Sequence, residues 1–294
     1  MRKTLLIGNG LNRTLDDKYS ATNLLKELCT LEDIDIFFDE KNQLPFQLLF
    51  ESIGCEYIRK GKKNDVVNDN VKKYLLELNK KDNGLIRELD GFNNKYDSII
   101  TTNYDFALEY NLFGEKSVKT EAIGRNRGYK YKDIIYHIHG DFGKSHTICL
   151  GRINYQKYLK SNTSNVKNEF YDYKNVDEIV KVLPIHLRKF FSNDIDIIGL
   201  NLDSTELIIW FVLTLRASLM CKSDYGIINS INYYNAVYPA DGQSLEELNN
   251  QQNNIKRYLK KLSVNYIYDV CNVRMEKGEY YRYYYADTIR QLLK

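Results

Sequence analysis

The chain has 294 residues, 43% hydrophobic and 28% charged, with a formal net charge of +3. This composition is typical of a globular protein with a sizeable core and excludes a disordered chain. The small net charge gives no electrostatic case for nucleic-acid binding, although local basic patches stay open. The 25 tyrosines are interpreted as half-buried phenols rather than as base-stacking platforms.

Cysteine usage and hydropathy bound the compartment. The five cysteines lie far apart and form no CxxC pair, which argues against a zinc ribbon and against a disulfide framework. We expect reduced thiols and a cytoplasmic protein. No apolar run approaches the roughly 20 residues that cross a bilayer, and the N-terminus lacks the apolar core of a signal peptide. Secretion and membrane insertion are therefore not expected.

The first predicted strand, 4–7, is a short apolar run followed by Gly8-Asn9-Gly10. A helix is expected directly after it. In an α/β fold this order places backbone N–H groups beside the carboxyl end of a strand, where a pyrophosphate binds. Glycine allows the tight turn and the close approach of phosphates. The GxGxxG pattern is incomplete because Arg13 occupies its third small position, so a plain strand-turn-helix is an equal alternative.

A block of amphipathic helices separates this strand from the next one. The apolar spacing predicts helices at 22–29, 44–57, 66–80 and 84–91. Thr22 or Asn23 would cap the first helix. Because the block is longer than an ordinary crossover, we expect residues 44–92 to form a cap or side layer. The basic run 59–63 is interpreted as a solvated loop rather than a phosphate site.

The second predicted strand, 98–102, ends in polar residues. Thr102, Asn103 and Asp105 lie where open α/β sheets bind their ligands, outside the carboxyl ends of the strands. The alternative is that Asn103 and Asp105 only cap the helix predicted from 106 onward. The local sequence does not separate the two interpretations.

The third predicted strand, 133–138, leads into His139-Gly140-Asp141. His137 and His139 alternate along this segment, so both would point to one face. Gly140 would leave room for a ligand beside His139. A hydrogen-bonded structural histidine is the main alternative. A metal site is disfavoured because no third ligand is evident.

The rest of the chain alternates helices with strands. The pattern predicts helices near 155–158, 176–182, 185–191, 245–262 and 283–293, a long helix that begins at the cap 203–206 and ends near 221, and strands at 194–200, 231–238 and 264–270. Asp203 and Glu206 form a D-x-x-E capping pattern, and Asn201 follows its strand as Asn103 does. The alternation predicts an α/β fold, a Rossmann-like doubly wound parallel sheet with a helical insertion or side layer.

Four strand ends together resemble a known family. They carry Gly8-Asn9-Gly10, Thr102-Asn103-Tyr104-Asp105, His139-Gly140 and Gly199-Leu200-Asn201-Leu202. In this order they resemble the sirtuin superfamily pattern of Gly-x-Gly, T-x-N-x-D, His-Gly and G-x-S-L, and most closely the zinc-free bacterial SIR2-like NADases of antiphage defence. The resemblance implies a single SIR2-like domain over 1–294, with a helical insertion near 44–92 and a small zinc-free insertion near 151–193.

The chain also departs from the sirtuin pattern. Deacetylating sirtuins carry paired CxxC motifs between the His-Gly and G-x-S-L segments, where this chain has only Cys149. Nothing matches the Gly-x-Pro-Asp-Phe-Arg segment after the first loop, and Asn201 stands where Ser is usual. These departures favour NAD hydrolysis over lysine deacylation.

The resemblance implies a substrate and roles for individual residues. NAD would be the substrate, no metal would be needed, and nicotinamide and ADP-ribose would be the products, with cyclisation as an open variant. Asn103 would hold the ribose and the attacking water, Asp105 would bind the carboxamide, and His139 would act as base. The NAD-binding residues would be Gly8, Asn9, Gly10, Asn12, Thr102, Gly140, Gly199 and Asn201.

The resemblance also implies regulation. An uncontrolled NAD hydrolase would kill its own host, so we expect an effector of abortive infection that is idle alone. A homo-oligomer, a separate subunit such as a HerA-type ATPase, or both would activate it, without membrane or nucleic-acid binding by this chain.

Asn232, Tyr238 and Asp241 are guesses for the residues that contact the adenine end of NAD. A non-catalytic NAD or ADP-ribose binder, an NAD-dependent deacylase and a nucleic-acid protein are the alternatives.

Overall fold

The computed structural model describes residues 2–15, 19–35, 45–76, 83–114, 119–122, 129–141, 143–144, 148–166, 175–202, 206–221, 226–240, 242–272 and 275–294, without the side chains of 64 and 65. Within these ranges no helix is both long enough and apolar enough to cross a bilayer.

One sheet organises the described residues. Its strands are β1 Lys3–Ile7, β2 Ser98–Thr101, β3 Glu121–Ala122, β4 Tyr129–Tyr131, β5 Ile135–His137, β6 Asp194–Ile198, β7 Ile231–Val237 and β8 Asn265–Val270. Their spatial order is β3-β4-β5-β2-β1-β6-β7-β8. β1, β2, β5, β6, β7 and β8 pair in parallel, whereas β4 pairs antiparallel with both β3 and β5.

The parallel strands follow the order of a doubly wound fold. Counted along the chain without β3 and β4, their order in space is 3-2-1-4-5-6, the order of dinucleotide-binding sheets. The chain builds outward from β1 to one side, then returns and builds outward from β6 to the other. A crevice forms at this reversal, outside the carboxyl ends of β1 and β6. The predicted α/β Rossmann-like fold is confirmed.

Helices cover the sheet and form a side layer. They are α1 Gly10–Arg13, α2 Ala21–Leu31, α3 Phe46–Arg59, α4 Asn64–Leu76, α5 Gly84–Arg87, α6 Ala107–Phe113, α7 Arg152–Thr163, α8 Val176–Val182, α9 Ile185–Ser192, α10 Leu207–Met220, α11 Leu245–Lys261 and α12 Lys277–Leu293, with a 3₁₀ turn at Phe92–Asn94. α2, α3 and α4 pack around a cluster that includes Leu25, Ile53 and Val71 and that also takes in Phe106, Ile148 and Leu150.

The sheet is buried on both faces because its strands alternate between two cores. Leu6 of β1 packs into a cluster with helices α7 to α10, while Leu5 and Ile7 pack into a second cluster with α5, α6 and α12. This alternation follows from the two-residue period of a strand. All three side chains are fully buried, as expected for a strand that lies between β2 and β6 in the middle of the sheet.

Several predicted details are wrong at the ends of elements. Ser20, not Thr22 or Asn23, caps α2, because its hydroxyl accepts a hydrogen bond from the Asn23 amide at 3.2 Å. The strand predicted at 133–138 is shorter, since Asp133 has a φ of 56° and belongs to a turn. β3 and β4 were not predicted, as two and three residues are too short for a periodic signal.

The predicted capping pattern before α10 has a different outcome. Glu206 precedes α10 but its side chain makes no capping hydrogen bond, and Asp203 lies outside the described residues. Glu206 instead lines the neighbouring crevice.

Candidate functional site

A cavity of about 600 Å³ opens at the carboxyl ends of the parallel strands. Residues that follow five of these strands line it: Asn9 and Gly10 after β1, 102–105 after β2, His139 after β5, 199–202 after β6 and Tyr238 after β7. Its volume is in the range of small-molecule and cofactor sites. The cavity therefore lies where a doubly wound fold binds its ligand.

The glycine loop after β1 is built for close contact with the loop after β6. The Gly8 amide donates to the Ile198 carbonyl at 3.0 Å, and the Gly10 amide to the Gly199 carbonyl at 2.7 Å. A Cβ on Gly8 would lie 2.5 Å from the Gly199 oxygen, and one on Gly10 would lie 2.7 Å from it. Glycine is thus required here by the packing of two loops. The predicted reason, close approach of phosphates, is not needed to explain it.

Gly199 completes this contact from the other side. Its φ of +62° lies in the left-handed region, and a Cβ there would meet the Leu11 side chain at 2.6 Å. Gly10 and Gly199 line the cavity, whereas Gly8 does not. Gly8 contacts the end of β6, and its predicted contact with NAD stays a prediction.

Asn12 and Asp105 form a buried pair behind the cavity wall. The Asn12 amide group donates to Oδ2 of Asp105 at 2.8 Å, and the Ala107 backbone amide donates to Oδ1 at 3.0 Å. Burial raises the pKa of the Asp105 carboxyl. Asn12 is fully buried and is not among the lining residues, and its side-chain amide holds Asp105. Its predicted contact with NAD stays a prediction. Asp105 lines the cavity and also accepts a hydrogen bond from the first amide of α6. It therefore has both features that the sequence offered as alternatives, a place at the ligand site and a contact with the start of the helix.

Asn103 presents an unsatisfied polar atom at the cavity wall. Its backbone amide donates to the Thr101 hydroxyl at 3.1 Å, and its carbonyl accepts from Nδ1 of His137 at 3.0 Å. The side chain is 5% exposed, and its Oδ1 has no hydrogen-bond partner among the described residues. An orphaned buried oxygen of this kind costs about 1–3 kcal/mol. Such an atom beside a cavity is suited to a ligand that donates a hydrogen bond.

His139 lines the cavity and is almost entirely buried. Its Nε2 lies 3.0 Å from the Tyr155 hydroxyl and 3.6 Å from Oε2 of Glu206. The rings of Tyr104, Tyr155 and Tyr158 surround the imidazole. Burial lowers the pKa of His139 to about 3, so the ring is neutral near pH 7. Neither Tyr155 nor Glu206 was predicted as a site residue: Tyr155 lies in no motif, and Glu206 was interpreted only as part of a helix-capping pattern.

His137 has quite different surroundings. Its Nε2 lies 2.7 Å from Oε1 of Glu109, and both side chains are fully buried. Burial opposes the charged form, yet the Glu109 carboxylate raises the pKa of His137 to about 9. The ring packs edge-on against Phe106. The two imidazoles have different partners, Glu109 of α6 for His137 and Tyr155 of α7 for His139. Because β5 ends at His137, the regular alternation of a strand does not extend to His139.

The remaining predicted residues divide into two groups. Asn9, Thr102 and Asn201 line the cavity together with the residues above, whereas Gly140 does not. At the expected adenine end, Tyr238 lines the cavity. Asn232 instead donates to Oδ1 of Asp196 at 2.8 Å and lies outside the lining. Asp241 lies outside the described residues.

Arg13, the residue that makes the GxGxxG pattern incomplete, contributes a positive charge to the cavity. It is the single Lys or Arg among the described residues that line the cavity. Its guanidinium lies 5.9 Å from the ring centre of Tyr281 on α12. No group of three or more His, Cys, Asp or Glu is placed to hold a metal ion in the described part of the chain. The cavity thus combines one cation with polar strand ends.

A known protein family matches the middle of the chain. Residues 97–178 match the model of the SIR2-like domain family. The chain is similar to SIR2-like domains. The matched segment contains Asn103 and His139, and the match supports the sirtuin-like superfamily and an NAD-related function. No curated protein sequence matches the chain.

Proposed function

We propose that this chain hydrolyses NAD at the bond between nicotinamide and ribose, giving nicotinamide and ADP-ribose. The observation that carries the proposal is the orphaned Oδ1 of Asn103 in a cavity that also contains the neutral imidazole of His139. The two residues follow β2 and β5, which are neighbours in the sheet. The SIR2-like match over this segment supports NAD as the ligand.

Each residue has a distinct task in this proposal. Asn103 accepts a hydrogen bond from a ribose hydroxyl or from the attacking water, which positions the reactants. His139 is neutral near pH 7 and accepts the proton that water or ribose gives up. Asp105 accepts from the carboxamide with the lone pairs that Asn12 and Ala107 leave open. No metal ion is required for these steps.

Arg13 is the proposed partner of the NAD pyrophosphate. A guanidinium binds phosphate oxygens through two parallel hydrogen bonds, and such charge-assisted bonds are about twice as strong as neutral ones. Replacing Arg13 by Gln should weaken NAD binding by about 10- to 100-fold, because the loss of one hydrogen bond to a charged group costs about 1.5–3 kcal/mol and about 1.4 kcal/mol corresponds to tenfold. Isothermal titration calorimetry with the turnover-deficient Asn103→Ala background would measure this directly.

We further propose that the activity is regulated, in the manner of an effector of antiphage defence. The helical side layer supports this, because Leu24 of α2, Phe46 of α3 and Leu75 of α4 line one wall of the cavity. A homo-oligomer, or a separate subunit such as a HerA-type ATPase, would order this wall on binding. The isolated chain would then be idle, and association would start NAD consumption.

A non-catalytic NAD or ADP-ribose binding subunit is the second candidate. The observation that favours it is the low pKa of His139, about 3, which makes the imidazole a weak base. Such a subunit would bind NAD without releasing nicotinamide. A protein deacylase is less well supported, because its zinc module has no counterpart in the sequence.

The deciding experiment incubates the purified chain with NAD and measures free nicotinamide, with and without any co-purified subunit. We expect turnover from the associated form and none from Asn103→Ala or His139→Ala, with both variants folded. If the two variants consumed NAD at the wild-type rate, the assignment would be rejected. High turnover by the monomer would contradict the regulation, and binding without turnover would select the second candidate.

A further inference from the structure

His139, Tyr155 and Glu206 form a chain of polar groups along the cavity wall. Tyr155 lies on α7, Glu206 directly precedes α10, and His139 follows β5, so three separate elements meet here. The Tyr155 hydroxyl lies 3.0 Å from Nε2 of His139 and 3.5 Å from Oε2 of Glu206. Tyr155 is 4% exposed and the Glu206 side chain 17% exposed, so the carboxylate forms the wetter end.

The positions of the hydrogens in the His139–Tyr155–Glu206 network can be assigned by counting hydrogen-bond donors. An ionised Glu206 can only accept, and Tyr155 has one hydroxyl hydrogen to give. If Tyr155 gave this hydrogen to His139, then Glu206 would face an oxygen without a hydrogen and a ring nitrogen lone pair. If Tyr155 donates to Glu206 instead, its oxygen accepts from Nε2–H of His139 and all three contacts are satisfied.

The negative charge of Glu206 also favours a hydrogen on Nε2 of His139. Its Oε2 lies 3.6 Å from Nε2 of His139, and a negative charge at that distance favours a hydrogen on that nitrogen. The other titratable groups around the imidazole do not compete, because burial raises the pKa of Cys149 to about 12 and keeps the phenols of Tyr104 and Tyr158 neutral.

We propose that Tyr155 and Glu206 hold His139 in the tautomer that carries its hydrogen on Nε2, which leaves Nδ1 as the proton acceptor in the NAD reaction. This inference rests on the proposed function for its role in catalysis. When Nδ1 takes a proton from water or a ribose hydroxyl, Nε2 can pass its own proton to the Tyr155 oxygen. Tyr155 then passes its hydroxyl proton to Glu206, so the acquired charge leaves the buried ring.

Tyr155 and Glu206 are positioning residues in this scheme, since they act through His139. Their arrangement answers the difficulty that burial makes an isolated imidazole at this place a poor base. A partner that fixes the tautomer of a histidine and stabilises its charged form is the general solution to this problem.

The test observes the ring directly and needs no turnover. Nitrogen-15 NMR of histidine-labelled chain at neutral pH distinguishes the two neutral tautomers, and a His139→Gln variant identifies the His139 signals. We expect the Nε2–H form in the wild-type chain. Finding the Nδ1–H form would overturn the proposal, whether or not the chain hydrolyses NAD.

Variants with matched controls separate the effect of Tyr155 and Glu206 on the His139 tautomer from general effects on the fold. Tyr155→Phe and Glu206→Gln should each reduce the Nε2–H population of His139. The controls are Tyr283→Phe, at a side chain 70% exposed on α12, and Glu279→Gln, an exposed carboxylate in the first turn of the same helix. Neither lines the cavity. An unchanged tautomer in both test variants would overturn the proposal. If Tyr155→Phe fails to fold, the Glu206→Gln result decides.

A kinetic measurement then tests the catalytic role. In the active form, Glu206→Gln should lower kcat by on the order of 10²-fold with KM nearly unchanged, while Glu279→Gln keeps the wild-type rate. A wild-type kcat in Glu206→Gln would remove the carboxylate from the mechanism. If no form of the chain turns over NAD, the proposed function fails while the tautomer result still stands or falls separately.

Discussion

The two histidines beside the third parallel strand show how one residue type serves two purposes. His137 is an imidazole locked between Glu109 and the Asn103 carbonyl, with a pKa raised to about 9. His139, two residues on, lies against Tyr155 at the cavity, with a pKa lowered to about 3. Burial disfavours the charged form of both rings. The difference is that His137 has a fully buried carboxylate in direct contact, and His139 has not.

This contrast separates a group that holds the site from a group that acts in it. Both hydrogen-bond partners of His137, the Glu109 carboxylate and a backbone carbonyl, are acceptors, so both ring nitrogens donate and the ring is charged. A ring with both nitrogens occupied cannot take another proton. His139 retains that capacity, which is why the proposed base is His139 and not His137.

The largest expected effect concerns turnover. His139→Gln should lower NAD hydrolysis by on the order of 10²–10⁴-fold, because it removes the proton acceptor. His137→Gln keeps a donor near the Asn103 carbonyl and should retain most of the rate per folded molecule. Initial rates of nicotinamide release, normalised to the folded fraction, make the comparison. Equal losses of hydrolysis rate in the two variants would contradict the assignment of a catalytic role to His139 and a structural role to His137.

The next largest effect concerns stability, for which His137 should matter more than His139. His137→Leu leaves the Glu109 carboxylate buried without its partner and should reduce the free energy of unfolding by about 3–5 kcal/mol. Urea unfolding at neutral pH measures this loss. Adding Glu109→Gln to the same variant should restore part of it, because the buried charge is gone. A loss below about 1 kcal/mol in the single variant would mean that the pair is not ionised.

The pH dependence of stability should differ in sign between the two histidines. The folded pKa of His137, about 9, exceeds the unfolded value of about 6.5, so its stabilisation is complete below 6.5 and is lost as pH rises through 9. The folded pKa of His139, about 3, lies below the unfolded value, so folding weakens as pH falls from 6.5 towards 3.

Variants isolate these two limbs of the stability profile. Against the wild-type chain, His137→Gln should flatten the decline at alkaline pH, and His139→Gln should flatten part of the decline at acidic pH. Unfolding midpoints measured from about pH 4 to about pH 9.5 give both differences. The opposite assignment of limbs would refute the two directions of pKa shift.

The smallest expected effect concerns the ring contact of His137. The Phe106 and His137 rings meet edge-on with centroids 5.5 Å apart. Phe106→Leu should reduce the free energy of unfolding by about 1 kcal/mol through lost packing and aromatic contact. The NMR signals of His139 should stay unchanged, since Phe106 is not among the residues that line the cavity. A shift of the His139 signals would show that the two sites are coupled.

The predicted strands were largely recovered because their signal is local. The buried run at 4–7 and the apolar run at 194–200 became β1 and β6, with bounds within two residues of the prediction. The hydrophobic pattern places the polar residues that follow such strands at the carboxyl edge of the sheet. It left open whether Asn103 and His139 have structural roles, and the resemblance to the sirtuin pattern selected them; both line the cavity.

Other site features carry no local signal. Tyr155 and Glu206 reach His139 from two different helical regions, and Arg13 enters the cavity from a position that broke the expected glycine pattern. The resemblance implied that Asn12 contacts NAD, and nothing local predicted that it is fully buried against Asp105. Hydrogen-bond partners far apart in the chain are set by packing, which periodicity does not encode.

The sequence by itself determined which segments become strands and which side chains follow their carboxyl ends, because hydrophobic period and chain reversal are properties of neighbouring residues. Only the tertiary structure decided that His137 is charged and His139 neutral, and that Gly8 serves the contact with β6. A protonation state depends on burial and on the charges that other elements bring within hydrogen-bond distance. Those contacts exist only once the sheet and its helices have packed together.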